Sequence, residues 1–245
     1  MHSTPEGQQP VTLRGRTFSG PDDAFALLES ELAGRGGLPG TPPDSWPGSW
    51  IGDLLAKAPA WRGALVSGML QRWPSADSLG RRVFSVKLSQ PPLAGLDVLD
   101  GLLALLEQQG RGEPDVLDLW AAARGLAGTY GGADEARLDR AEAQLPTHPV
   151  AVYLLATLDW GRAVDRISAE LGRCSPTEIE HMGNLPLSRE RVHEIVSICS
   201  ALDPPRKAAF TRPMTSIWHI FGREDRALRE RLVAHWPSCV PPADR

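Results

Sequence analysis

The chain has 245 residues, 42% of them apolar and 23% charged, with a formal net charge of −4. That is enough apolar material for a buried core, as one large domain or two small ones, and it excludes a disordered tail or a fibrous chain. The slightly acidic balance argues against a dedicated nucleic-acid binder, which shows a basic excess on the scale of the domain.

The first ten residues, Met1 to Pro10, are polar and lack the basic start and apolar stretch of a secretory signal. Helical spacing then dominates: 32 leucines stand against 20 valines and isoleucines together, the reverse of what strands prefer. From Pro21 to Leu32 the residues Phe25, Leu28 and Leu32 fall on one helical face. Pro21 suits the first turn, Asp22 and Asp23 suit its dipole, and Gly34 suits the exit. Gly34 to Ser49 holds five glycines and four prolines and is expected to be a linker or an ordered loop. The expected organisation is therefore an N-terminal segment, 1–49, with one helix and that loop, followed by a helical domain over 50–245.

Beyond residue 49, apolar helical pieces alternate with proline or glycine. Trp50 to Ala58 stops at Pro59, Trp61 to Trp73 at Pro74, and Ala76 to Leu88 at Pro91-Pro92. Leu93 to Gln109 ends at Gly110, Asp115 to Ala127 in Gly131-Gly132, Asp134 to Leu145 at Pro146, and Val150 to Leu171 at Gly172. Short polar joints fold neighbouring helices back on one another. Almost nothing alternates apolar and polar residues, so no sizeable sheet is expected. The expected fold is all-α, roughly ten helices in antiparallel pairs.

One stretch resembles another. Ala64-Leu65 through Trp73-Pro74-Ser75 aligns without gaps on Ala227-Leu228 through Trp236-Pro237-Ser238, with Ala, Leu, Trp, Pro and Ser identical. The offset of 163 residues is close to four units of about 41, within the range of two-helix repeats. Leu54-Leu55, Pro59, Trp61-Arg62 and Leu65 form a proline-break, apolar-arginine pattern that resembles the HEAT-like α-solenoids, and Asp225, Leu228-Arg229 and Leu232 partly echo it. The echo runs at offset 167, and Leu93 to Leu171 carries neither signature. What the resemblance implies is a short curved stack with an extended concave surface.

Several chemistries are absent from the pattern. No Gly-Lys pair exists for a P-loop, and neither a Gly-x-Ser-x-Gly elbow nor a His-Glu-x-x-His zinc helix occurs. Gly34-Arg35-Gly36-Gly37 lacks the spacing and preceding strand of a dinucleotide fingerprint and reads as a turn. Cys174, Cys199 and Cys239 are odd in number and far apart, which suits free thiols in a reducing cytoplasm. Cys199 is expected to be buried and inert, and Cys174 and Cys239 to be more exposed near helix ends. No apolar run reaches the roughly 18 residues of a membrane span, and only Lys57, Lys87 and Lys207 are lysine, a bias expected of a GC-rich bacterial genome.

The best metal candidate is a doubled Glu-x-x-His, Glu178 with His181 and Glu190 with His193, each pair on one helical face. The structural reading competes with it. Ser175-Pro176-Thr177-Glu178 is a capping box, and Ser188 is a cap that places Glu190 in a first turn. His219 and His235 adjoin tryptophans and are expected on a helix surface or in the core. The eight tryptophans are expected mostly as core staples, and Arg223 to Arg231 as a solvated face with i, i+4 pairs. Arg206, Lys207 and Arg212 form a basic cluster too small for a nucleic-acid groove.

The favoured expectation is a non-enzymatic, cytoplasmic, bacterial interaction protein that binds a partner protein, with a toxin-neutralising immunity protein as one form. It needs no cofactor, catalytic residue or membrane. The alternative is a helical metal-binding protein or enzyme built on Glu178, His181, Glu190 and His193. A third reading, nucleic-acid binding on an arginine face, is the least favoured.

Overall fold

Leucine at helical spacing, cut by proline and glycine, builds helices here, as the pattern requires. The computed structural model describes residues 9–40, 45–110, 116–130, 134–180 and 188–244. Among them the fold is all-α, with one small hairpin, and the chain divides into two compact units, 1–108 and 109–245. The boundary expected after residue 49 falls inside the first unit. No helix of the described residues is long and apolar enough to cross a membrane.

The first unit opens with strands β1 (Val11–Leu13) and β2 (Arg16–Phe18), paired antiparallel with Leu13 opposite Arg16. The two-residue turn between them has φ of 49° at Arg14 and 80° at Gly15, the left-handed pair that a type I′ hairpin needs. Its buried Phe18 stacks on Trp50 with ring centroids 5.6 Å apart. Five helices follow: α1 (Pro21–Leu32), α2 (Ile51–Lys57), α3 (Arg62–Arg72), α4 (Ser78–Leu88) and α5 (Leu96–Leu106). Helix α3 packs against α1, α4 and α5.

The described part of the Gly/Pro-rich stretch is an ordered loop gathered around one carboxylate. Glu31, in the last turn of α1, accepts from the Gly48 N–H at 2.7 Å, from the Trp50 indole at 3.0 Å and from the Leu38 N–H at 3.4 Å. Gly48 sits at φ +70°, the left-handed region that favours glycine, and a Cβ there would also press on the tips of Ile51 and Leu28 at 2.8 and 3.0 Å. Farther on, Arg62 clamps the proline joint before α5. Its guanidinium donates to both oxygens of Asp97 at 2.8 Å and to the carbonyls of Leu93 at 2.6 Å and Ala94 at 3.2 Å. Those bonds hold the Asp97 carboxyl below its ordinary pKa.

The second unit contains α6 (Val116–Tyr130), α7 (Glu135–Ala143), α8 (Ala151–Leu158), α9 (Trp160–Arg173), α10 (Pro176–Glu180), α11 (Arg189–Ser200), α12 (Pro204–Ala209), α13 (Thr211–Ile217) and α14 (Arg226–His235). All of Ala151 to Ala156 are buried, and α6, α7 and α9 pack on α8, as befits a helix apolar on every side. The single helix expected over Val150 to Leu171 is corrected to two. Asp159 leaves helical geometry, and its Oδ1 accepts from the Arg162 N–H at 3.1 Å, so it caps α9 and cuts the run. Trp218–Gly222 forms one π-helical turn between α13 and α14.

The fourteen helices described exceed the ten or so expected, because the sequence pattern did not separate short pieces such as α12 and α13. The two similar segments do fold alike locally. Each is a helix followed at its tryptophan by a 3-10 turn, Trp73–Ser75 in one and Pro237–Cys239 in the other, with Leu65, Met69 and Trp73 buried in the first and Leu228, Leu232 and Trp236 in the second. Helix lengths range from five residues to fifteen, and the structure does not establish a repeating two-helix unit.

Candidate interaction surface and the histidine–carboxylate pairs

Helix α4 begins at a well-made cap, with Asp77 Oδ1 accepting from the Gly80 N–H at 2.7 Å. Its inner face, Val83, Phe84 and Leu88, is buried, and Phe84 lies 6.2 Å from Phe25 and 6.4 Å from Trp73 between ring centroids. The outer face carries Leu79, Arg82 and Val86 at i, i+3 and i+7, which share one side of a helix. Leu79 is 44% exposed and Val86 37%. Trp46, 47% exposed, lies beside Arg82, whose guanidinium carbon is 5.4 Å from the tryptophan ring centroid. Among the described residues Arg82 makes no ion pair, so an apolar stripe surrounds an uncompensated positive charge.

The other cations of α4 are occupied. Arg81 donates to the Ala76 carbonyl at 2.5 Å, and Lys87 is half-buried beside Glu31. Burial pulls the Lys87 pKa down and the neighbouring Glu31 charge partly restores it. A tryptophan, a leucine and a valine are thus exposed along one helix face and at Arg82. The sequence signal was present in Leu79 and Val86, but helical spacing alone did not distinguish this outer face from the buried one.

Of the paired Glu-x-x-His motifs, Glu178, Glu190 and His193 lie among the described residues. Glu178 Oε2 accepts from the Ser175 N–H at 2.6 Å while Ser175 Oγ accepts from the Glu178 N–H at 3.3 Å, the reciprocal capping box. Ser188 Oγ accepts from the Arg191 N–H at 3.3 Å, and Glu190 is exposed in the first turn of α11. His181 lies outside the described residues. His193 is partnered by Asp225: its Nε2 lies 2.8 Å from Asp225 Oδ2, joining α11 to α14. Asp225 Oδ1 accepts from the Leu228 N–H at 3.0 Å, so one carboxylate caps α14 and pins the histidine. The Leu228 N–H, then His193, hold the Asp225 pKa below the ordinary carboxylate value. Among the described residues no group of three histidine, cysteine or acidic side chains could hold a metal ion.

Two further groupings were invisible in the sequence. His148 is buried just before α8, with Nε2 3.0 Å from the Gln109 carbonyl and its ring 6.3 Å from Trp120. Tyr153 is buried with its hydroxyl 3.3 Å from the Glu178 carbonyl. Burial raises its pKa well above the ordinary value, and the nearby Cys174 and Cys199 add to the shift. Residues 21 and 46 positions apart in sequence meet there, a juxtaposition that only the fold supplies.

The thiols need one correction. Cys174 and Cys239, expected to be more exposed, are both buried, as is Cys199. Cys174 follows the last turn of α9 under the packing of Tyr153, and Cys239 Sγ donates to the Thr211 carbonyl at 3.2 Å. Burial pushes the Cys199 thiol far up, which leaves it protonated and unreactive. His219 and His235 are exposed, and six of the eight tryptophans are buried, Trp46 and Trp160 being the others. Arg226 and Glu230 pair at 2.8 Å on the outer side of α14, and Arg206 pairs with Asp203. No protein-family model, curated protein or solved structure matches the chain.

Proposed function

We propose that this chain is a non-enzymatic interaction protein whose outer α4 face binds a partner protein. The single observation that carries this reading is the exposed stripe of Trp46, Leu79 and Val86 around Arg82. Aromatic and arginine anchors side by side are the side chains that concentrate binding energy in interfaces. The stripe stands on a rigid element, capped at Asp77 and packed on Phe25 and Trp73, so little ordering is needed on association. The three buried, unbridged cysteines support a reducing compartment such as the cytoplasm.

The test is a comparative purification from the native cells, with wild type against the double variant Leu79→Glu/Val86→Glu. Both positions are exposed, so circular dichroism and the urea midpoint should match wild type to within about 0.5 kcal/mol. At least one stoichiometric partner held by the wild type and lost by the variant is the expected result. The same partners retained by both proteins would refute the reading.

A further inference from the structure

We infer that the occupant of the α4 face is an amphipathic helix of the partner protein that places a carboxylate against Arg82. The inference rests on the reading of α4 as the binding face and adds the chemistry of what binds. Leu79, Arg82 and Val86 repeat at i, i+3 and i+7, so their ridge runs along one helix and offers the i, i+3, i+4, i+7 footprint of a helix laid beside it. Arg82 lies in the middle of that ridge, and covering the stripe takes its guanidinium out of water. Among the described residues Arg82 has no anionic partner, and a buried, unpaired charge is far costlier than a paired one, so an occupant that brings an anion is favoured. The Arg82 guanidinium lies over the Trp46 ring, its N–H donors make no hydrogen bond among the described residues, and those donors match a carboxylate fork. The helix supplies no such group itself, since Ser78–Leu88 contains no aspartate or glutamate.

Two other occupants fit less well. A second copy of this chain, pairing α4 with α4 across a two-fold axis, brings Leu79 opposite Val86 and Arg82 opposite Arg82. The two uncompensated charges then meet at the centre of the dry contact. An anionic lipid surface draws its strength from clusters of about four to eight free cations, whereas α4 has one, Arg81 being bonded to Ala76 and Lys87 half-buried beside Glu31. That one cation sits inside the apolar stripe rather than at its rim, where a bilayer would hold it.

A photo-reactive benzophenone amino acid placed at Val86, in the full chain and in the native cells, reports the occupant directly. Mass spectrometry of the irradiated adduct is expected to identify one partner segment with apolar residues at helical spacing and an aspartate or glutamate among them. Arg82→Glu is expected to lower the adduct yield on the order of thirtyfold or more, the loss typical of a broken interfacial charge pair. Replacing the partner's carboxylate by lysine is expected to restore it. Unchanged yield with Arg82→Glu, or a cross-linked segment without a carboxylate, overturns this inference and leaves the α4 face standing. Adducts to a second copy of this chain or to lipid alone overturn it as well. No adduct at position 86 in any background overturns both this inference and the reading it rests on.

Discussion

Replacing Glu31 by alanine should cost far more than a surface carboxylate ordinarily does. Its two oxygens accept the Gly48 N–H at 2.7 Å and the indole N–H of Trp50 at 3.0 Å, with a longer bond to Leu38 at 3.4 Å. Trp50 is fully buried, so its indole has no water to turn to. Leaving a buried donor without a partner costs about 1–3 kcal/mol, which for the two short bonds gives roughly 3 kcal/mol. That is a large share of the 5–15 kcal/mol typical of a folded domain. With a urea slope of about 2 kcal/mol per molar, the midpoint of the transition involving the first unit should fall by roughly 1.5 M. Glu29 is an internal control, two residues away on the same helix. Among the described residues it pairs with Arg72 alone, at 2.8 Å, and both side chains are about half exposed, so Glu29→Ala should cost no more than about 1 kcal/mol. Urea titrations followed by tryptophan fluorescence and far-ultraviolet circular dichroism measure both. Equal losses in the two variants would refute the claim that Glu31 organises the loop.

Asp225→Asn should cost about 1 kcal/mol at neutral pH, because it weakens the cap on α14 and the link to His193. The folded carboxyl titrates below its unfolded value, so its stabilisation is present above the unfolded pKa and is lost as pH falls through the folded one. The acid limb of the urea midpoint against pH should therefore be shallower in the variant. Gly48→Ala should destabilise by more than 1 kcal/mol, since φ is +70° and the added methyl meets Ile51 at 2.8 Å and Leu28 at 3.0 Å. A matched Gly63→Ala, where a Cβ meets nothing within 4 Å, should be neutral or stabilising in the same titration. A thiol reagent should label Cys174, Cys199 and Cys239 only on unfolding, and rapid labelling of Cys174 or Cys239 in the native protein would contradict their burial.

The helices were legible wherever a run of leucines met a strong stop. Pro21–Leu32 matches the expected helix at both ends, because proline, two aspartates and a following glycine mark its limits. The capping box at Ser175 and the cap at Ser188 were also readable, since a short polar side chain ahead of a helix has one efficient use. The break at Asp159 was missed because apolar spacing continues across it, and the hairpin at Val11–Phe18 because three-residue strands give no run to count. What the sequence could not supply was pairing at a distance. His193 was matched with its neighbour in sequence, Glu190, whereas its partner is Asp225, 32 residues on. The exposure of Leu79 and Val86 was not legible within the helical piece Ala76 to Leu88, because it is decided by which flank of α4 meets Phe25 and Trp73.

Hydrogen–deuterium exchange on the chain, alone and saturated with the partner recovered by purification, bears most directly on the role of α4. Slowed exchange should concentrate in Ser78–Leu88 and around Trp46, with Arg82→Glu abolishing it. Protection confined to other segments, such as α7 to α9 or α13 to α14, with α4 exchanging as freely as before, would contradict the account.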